Sequence, residues 1–195
     1  MTAISPLESI HKKGIFGDHH KKNESDLIQI SEVKALKIVQ VLQYKKSTTI
    51  LNSIKVDELE LPTESGKVIS NQKTRILWSA PRTWIVMSSQ EDIINEINKK
   101  CNDKDFAVTD ISHSRSIIQI KGEQTKEVLK KGIPINFNKF KKNECASTVF
   151  NGITIIIDFI EKNPDKFNIL TLRSFSESFY HHITDASLEF GYAGV

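Results

Sequence analysis

The chain has 195 residues, 38% of them hydrophobic and 26% charged, with a formal net charge of only +3. That length and balance suit a soluble globular protein with one sizeable core or two tightly packed subdomains. The small net charge excludes a strong field for nucleic acid or an anionic membrane, and the lysine doublets at 12–13, 21–22, 99–100, 130–131 and 141–142 are scattered as solvated faces are.

Cys101 and Cys145 are the only cysteines, and their spacing suggests neither a disulfide framework nor a zinc knuckle. The N-terminus lacks the apolar segment of a secretory signal, and no apolar run approaches the length of a membrane span. A reduced, cytoplasmic setting is the expectation.

Residues 1–25 are polar and carry Gly14, Gly17 and the run Asp18-His19-His20-Lys21-Lys22-Asn23. They read as an extended arm that orders on a partner, with a frayed terminus as the plainer alternative. Leu27–Ile30 and Leu36–Tyr44 follow as strands. Ser47–Val56 reads as a short amphipathic helix through Ile50, Leu51 and Ile54, and Pro62–Lys73 as loop. Thr74–Ser79 and Thr83–Ser88 form two strands around Ala80-Pro81-Arg82. Trp78 and Trp84 lie close to that hairpin end, one on each strand; core packing is favoured, with an aromatic anchor at a subunit interface as the alternative.

Glu91–Lys100 has helical spacing through Ile93, Ile94 and Ile97. Next comes the most informative stretch, Val108–Gly132. It reads as a strand, a polar break at His113-Ser114-Arg115, an alternating strand over Ser116–Lys121, and a tight turn at Gly122. A helix over Glu123–Lys131 follows, with Gly132 placed as a left-handed cap. Pro134–Asn143 is a basic loop with Phe137 and Phe140. Three strands follow at Cys145–Phe150, Ile153–Ile160 and Phe167–Leu172, with Asn151-Gly152 as a hairpin signal. Ser174–Phe190 closes as a helix, with Ser174 and Glu177 at capping-box spacing and an apolar stripe of Phe175, Phe179, Ile183, Ala186 and Phe190.

This order predicts an α+β fold: mostly antiparallel sheets with helices on one face, and a ferredoxin-like, split-βαβ arrangement over roughly 36–150. Residues 26–195 are expected to form one domain, or two tightly packed subdomains with a boundary near 100–107.

Motifs for chemistry are sparse. No Gly-x-Gly-x-x-Gly follows a strand, and no glycine-rich run ends in Lys-Ser or Lys-Thr. The pairs His19-His20 and His181-His182 are adjacent, which on a helix turns the side chains apart. Asp110, His113 and Arg115 are the one polar cluster between apolar strands. An Asp–His pair there could orient a general base and Arg115 could hold a carboxylate, but turn stabilisation by Asp110 and Ser112 is favoured. No catalytic, cofactor-binding or metal-binding residue is assigned.

Four segments together carry a family resemblance: Ser5-Pro6-Leu7 with Gly14-Ile15-Phe16-Gly17; Leu77-Trp78…Pro81…Trp84-Ile85; Val108–Gly132 continuing into Pro134; and Cys145-Ala146…Thr148 with Phe167…Leu170 and Arg173-Ser174-Phe175. In order and spacing they resemble the gamma subunit of heterotetrameric sarcosine oxidase, and the central stretch is similar to one in the glycine-cleavage T-protein. Two departures stand out. The family's Leu-Gly-Pro with following acidic residues is Ser79-Ala80-Pro81 with Arg82-Thr83 here, and the helix after Gly122 lacks the usual first-turn proline.

The resemblance implies a T-protein-like fold and a non-catalytic structural role beside alpha, beta and delta subunits, chiefly alpha. It implies a complex that converts sarcosine oxidatively to glycine, hydrogen peroxide and formaldehyde or 5,10-methylenetetrahydrofolate. FAD, FMN, NAD and zinc would sit on other subunits, with tetrahydrofolate as one-carbon acceptor; nucleic acid and membrane are not expected partners. Subunit contacts are expected along the arm 1–25 and part of the Phe175–Phe190 helix, with Phe16, Trp78, Arg82, Trp84, His113, Arg115, Phe179 and His182 as interface candidates. The rival expectations are a free-standing folate-binding protein of the T-protein type and, weakest, an RNA-binding module.

Overall fold

The computed structural model describes residues 4–20 and 22–195; the first three residues of the expected arm, and Lys21 within it, lie outside the described residues. The strands begin with β1 (Gly14–Phe16), β2 (Ile28–Glu32), β3 (Lys37–Gln43), β4 (Lys55–Val56), β5 (Leu59–Glu60), β6 (Val68–Ser70), β7 (Thr74–Ala80) and β8 (Thr83–Ser88). Helix α1 (Ile93–Lys100), β9 (Phe106–Asp110), β10 (Arg115–Lys121) and α2 (Thr125–Lys130) come next. The chain ends with β11 (Cys145–Phe150), β12 (Ile153–Glu161), β13 (Lys166–Leu172), α3 (Ser176–Ser187) and β14 (Tyr192–Gly194). It divides into two compact units: Ala35–His113 with Asn143–Ala146, and the remainder.

The first unit is built on an antiparallel sheet in the order β6-β7-β8-β3-β9. Numbering its four long strands in chain order gives 4-1-3-2, the split-βαβ arrangement expected from the sequence, here confined to 37–110. Alternation in each strand sends Val39, Val41, Ile76, Trp84, Val86 and Phe106 to one face, where α1 covers them with Ile93, Ile97 and Cys101. The second covering element is not the expected helix over 47–56. A single 3-10 turn at Leu51–Ser53 leads into the β4–β5 ribbon, which buries Ile54, Val56 and Leu61 instead. The segment is rich in β-branched residues and serines, which disfavour a helix. Ser47 Oγ accepts the Thr49 amide at 3.2 Å, and Ser53 Oγ donates to the Ile50 carbonyl at 2.7 Å.

The other unit holds a seven-stranded sheet, β1-β14-β2-β10-β13-β12-β11, antiparallel except where β14 runs parallel to β2. Asn151 and Gly152 both take positive φ, as the β11–β12 hairpin requires. Directly opposed Phe159 and Phe167 stack at 4.3 Å, and the 134–143 loop returns Phe137 and Phe140 onto them. Gly132 does not take the expected left-handed conformation. It is small because Phe150 lies close: a Cβ there would meet that ring at 2.8 Å. Helix α3 starts at Ser176 rather than Ser174 and has no side-chain cap, so the expected Ser174–Glu177 box does not form. Its buried face is Ser176, Phe179, Tyr180, Ile183, Thr184 and Ser187, which leaves Phe175 outside the stripe.

Candidate functional site

In the split-βαβ unit, the polar residues that looked most like chemistry close turns. Asp110 Oδ1 accepts hydrogen bonds from the Ser112 amide at 2.9 Å and its hydroxyl at 2.5 Å. The Ser112 hydroxyl bond chiefly holds the Asp110 carboxyl below the usual carboxylate range. Ser112 Oγ also accepts the Ile38 amide at 2.8 Å. His113 is exposed beyond this turn, so the three residues form a strand-end lock rather than an acid–base pair. Cys101 is buried at the C-terminal cap of α1, and burial pushes its thiol up to about 11, which removes it as a nucleophile at neutral pH.

The tryptophan hairpin follows its sequence closely. Trp78 pairs with Trp84 in register, and Pro81-Arg82 makes the turn with Arg82 at φ 60°. Trp84 is buried at 1% exposure, its indole N–H donating to the Pro62 carbonyl at 2.7 Å, while Trp78 is half-buried. Arg82 is exposed and donates to the Tyr44 carbonyl at 3.1 Å.

In the seven-stranded unit, half-buried Phe16 stacks on Tyr192 at 5.2 Å where β1 pairs with β14. Phe179 is fully buried and meets Phe150 edge to face at 5.6 Å. His181 and His182 are both exposed on α3 and line a hollow of about 450 Å³ with Thr184, Asp185, Leu188 and Tyr192. A larger groove of about 750 Å³ lies among Ser25–Leu27, Lys121–Glu123 and Asn163–Asp165. Its Asp165 is already engaged by Lys126 at 3.1 Å. Among the described residues, no three His, Cys, Asp or Glu side chains gather to hold a metal ion.

Arg115 begins β10, where it pairs across the sheet with Leu172 of β13. It is half-buried, and burial alone lowers its pKa from the ordinary value. Directly after Leu172 in the chain, the turn Arg173–Phe175 leaves Phe175 47% exposed. The Arg173 guanidinium donates to the carbonyl of Ile4. Ile4 and Leu172 are exposed as well. The sequence singles out Arg115 beside Asp110 and His113; within its own unit it stands across the sheet from Leu172.

The comparisons with known proteins bear on the family to which this arrangement belongs. The model of the sarcosine oxidase, gamma subunit family (SoxG) matches residues 50–189. The chain belongs to that family. The gamma subunits of sarcosine oxidase from Corynebacterium sp. strains U-96 and P-1 are each 25% identical to it, over 139 and 134 residues. The matches take in 69% and 67% of this chain and 67% and 65% of those relatives. A chain of the heterotetrameric sarcosine oxidase from Corynebacterium sp. U-96, solved with pyrrole 2-carboxylate, has the same fold: TM-score 0.76 at 22% identity, over 86% of this chain and 87% of that one. The aminomethyltransferase T of the glycine cleavage system from Bartonella henselae shares it more distantly, with TM-score 0.61 at 13% identity, over 82% of this chain and 46% of that one.

Proposed function

We propose that the protein is the gamma subunit of a heterotetrameric sarcosine oxidase, a non-catalytic chain that packs with alpha, beta and delta subunits, chiefly alpha. The observation that carries this reading is the family match over 50–189. The complex demethylates sarcosine oxidatively to glycine, hydrogen peroxide and formaldehyde or 5,10-methylenetetrahydrofolate. FAD, FMN, NAD and zinc belong to the other subunits. The assembly works in the reduced cytoplasm, and two buried free cysteines support that setting.

The test is affinity purification of the tagged chain from its native cell, followed by visible absorbance and sizing. The expected eluate is a large yellow complex with flavin bands and three further polypeptides. A colourless species of 22.2 kDa overturns the reading. The likeness to aminomethyltransferase T favours a second reading, a free-standing folate-binding protein. Titration with tetrahydrofolate, followed by the fluorescence of Trp78 and Trp84, separates the two; a saturable change in the isolated chain favours the second.

A further inference from the structure

The segment expected to be an extended arm is instead wound onto its own unit. At its start, the Ser5 hydroxyl donates to Glu32 and accepts the Leu7 amide at 3.0 Å, Arg173 donates to the Ile4 carbonyl, and Leu7 is fully buried. In its middle, both ring nitrogens of His11 are engaged. Nε2 lies 2.9 Å from the main-chain oxygen of Val195, and Nδ1 lies 3.0 Å from the Tyr180 hydroxyl. A main-chain oxygen can only accept, so Nε2–H donates to it and Nδ1 of the neutral ring accepts from Tyr180. At its end, β1 pairs with β14, Phe16 stacks on Tyr192, and the Asp18 amide donates to the Leu188 carbonyl at 2.7 Å.

Glycine placement points the same way. Three of the eight glycines sit where this segment and the last residues meet backbone to backbone. A Cβ at Gly17 would lie 2.2 Å from the Leu188 carbonyl oxygen, one at Gly191 2.5 Å from that of Asp18, and one at Gly194 2.1 Å from that of Lys12. No side chain fits at such distances, so the seam is closed by residues that have none. Gly194 is not among the glycines with positive φ, so its demand is for space alone. An arm that merely rested on the surface would need none of the three.

Strand β14 depends on this seam as much as the segment does. It is three residues long and runs parallel to β2, and a strand so short has little to hold it on one ladder alone. β1 supplies its second ladder, and His11 ties Tyr180 of α3 to Val195 just beyond it. Tyr180, Tyr192 and Ala193 are all buried there.

We infer that residues 4–18 and β14 form one latch, in which the N-terminal segment closes as a strap over β14 and the flank of α3, and the two segments open and close together. Closure is complete within the chain and awaits no partner, so the inference is independent of the subunit reading. Opening uncovers Tyr180, Tyr192 and Ala193 and leaves β2 as the edge of the seven-stranded sheet.

The test is hydrogen exchange with peptide mapping on the full-length chain from its native cell, both with the subunits that accompany it and after separation from them. Amides of 5–18 and 192–195 are expected to be protected in both samples. Gly194→Ala is expected to speed exchange in both segments about tenfold or more while β10 and β13 stay as in wild type. Should that variant fail to fold, His11→Ala removes two hydrogen bonds without crowding the seam, and a rise of about tenfold in both segments is expected. Faster exchange in one segment alone overturns the latch, as does no change in either. Protection of 5–18 that appears only with other subunits bound also overturns it and restores an arm that orders on a partner. Should the separated chain lose its circular dichroism, the coupling measured in the assembled sample decides. If no subunits accompany the chain, the subunit reading falls and the latch is still tested.

Discussion

In the unit built on Ala35–His113, the carboxylates of Asp57, Asp105 and Asp110 are each held by hydrogen-bond donors of the same unit, whereas the unit that holds β10, β13 and α3 ends two half-buried arginines without a carboxylate. Asp57 is held by Asn71 at 2.8 Å, Asp105 by Thr49 at 2.8 Å and Asn102 at 3.0 Å, and Asp110 by Ser112. Arg173 meets a main-chain carbonyl, and Arg115 meets nothing polar among the described residues. Apolar surface divides the same way. Of nine large hydrophobic side chains that stand exposed among the described residues, seven (Ile4, Ile15, Val149, Leu172, Phe175, Leu188 and Val195) belong to the seven-stranded unit, and Tyr44 and Ile50 to the other. Arginines held only by a main-chain carbonyl occur in both units, Arg82 in one and Arg173 in the other, so the clearer difference is in exposed apolar surface.

The sharpest way to break this comparison is to ask whether the two units differ inside as well as outside. Their cores are alike in kind, so equivalent truncations are expected to cost alike. Trp84→Ala removes a buried ring and orphans the Pro62 carbonyl, and Phe179→Ala removes a ring packed on Phe150. Each is expected to cost about 3–5 kcal/mol in a urea titration. Phe175→Ser, at an exposed position, is expected to change stability by no more than about 0.5 kcal/mol. A large loss of stability from Phe175→Ser would mean that this ring is part of the core, and the contrast between the units would collapse.

A smaller effect of opposite sign is expected at the tryptophan hairpin. Pro81 and Arg82 occupy the central positions of a turn that requires φ above zero at its second residue, where glycine is favoured, yet Arg82 sits there at 60°. Arg82→Gly relieves strain of about 1 kcal/mol and gives up one exposed hydrogen bond to the Tyr44 carbonyl. A raised melting temperature is therefore expected. An unchanged or lowered value would show that the Arg82–Tyr44 bond outweighs the strain, making the hairpin tip a stabilised feature of this unit.

What could be read from the sequence follows how local each signal is. The β7–β8 hairpin, the β11–β12 turn at Asn151-Gly152 and helix α1 are each specified within a dozen residues, and the strand order over 37–110 follows from their succession. Strands β1 and β14 gave no such signal. They are three residues each, bear glycines, and exist because they pair with each other across most of the chain. Gly194 is needed there because a Cβ would lie 2.1 Å from the Lys12 carbonyl, a constraint that no local pattern encodes. The stripe on α3 was legible through Phe179 and Ile183, but its extension to Phe175 failed because the helix starts one residue later. At the candidate site, Arg115 was visible as an arginine able to hold a carboxylate. Leu172 was not visible as its neighbour, since only the tertiary pairing of β10 with β13 brings the two together.

The smallest effect expected concerns acid, and it falls on the self-contained unit. Hydrogen bonds from Asn102, Ser47 and Thr49 hold Asp105 below the usual range, and Ser112 does the same for Asp110. Burial pushes Asp57 upward, but hydrogen bonds from Asn71 and Thr74 more than offset it. A carboxyl whose folded pKa is depressed binds fewer protons folded than unfolded, so its stabilisation is present above the unfolded value near about 4 and is lost as pH falls through the folded value. All three groups are largely solvated, which keeps each contribution small. Both tryptophans lie in this unit, so fluorescence-monitored urea midpoints between about pH 5 and 3 report on it directly. The midpoint is expected to fall across that window, and to fall less steeply in Asp105→Asn and Asp110→Asn. A slope identical to wild type in both variants would mean that these turns do not hold the unit's acid sensitivity, and that its charges are less self-contained than their hydrogen bonds suggest.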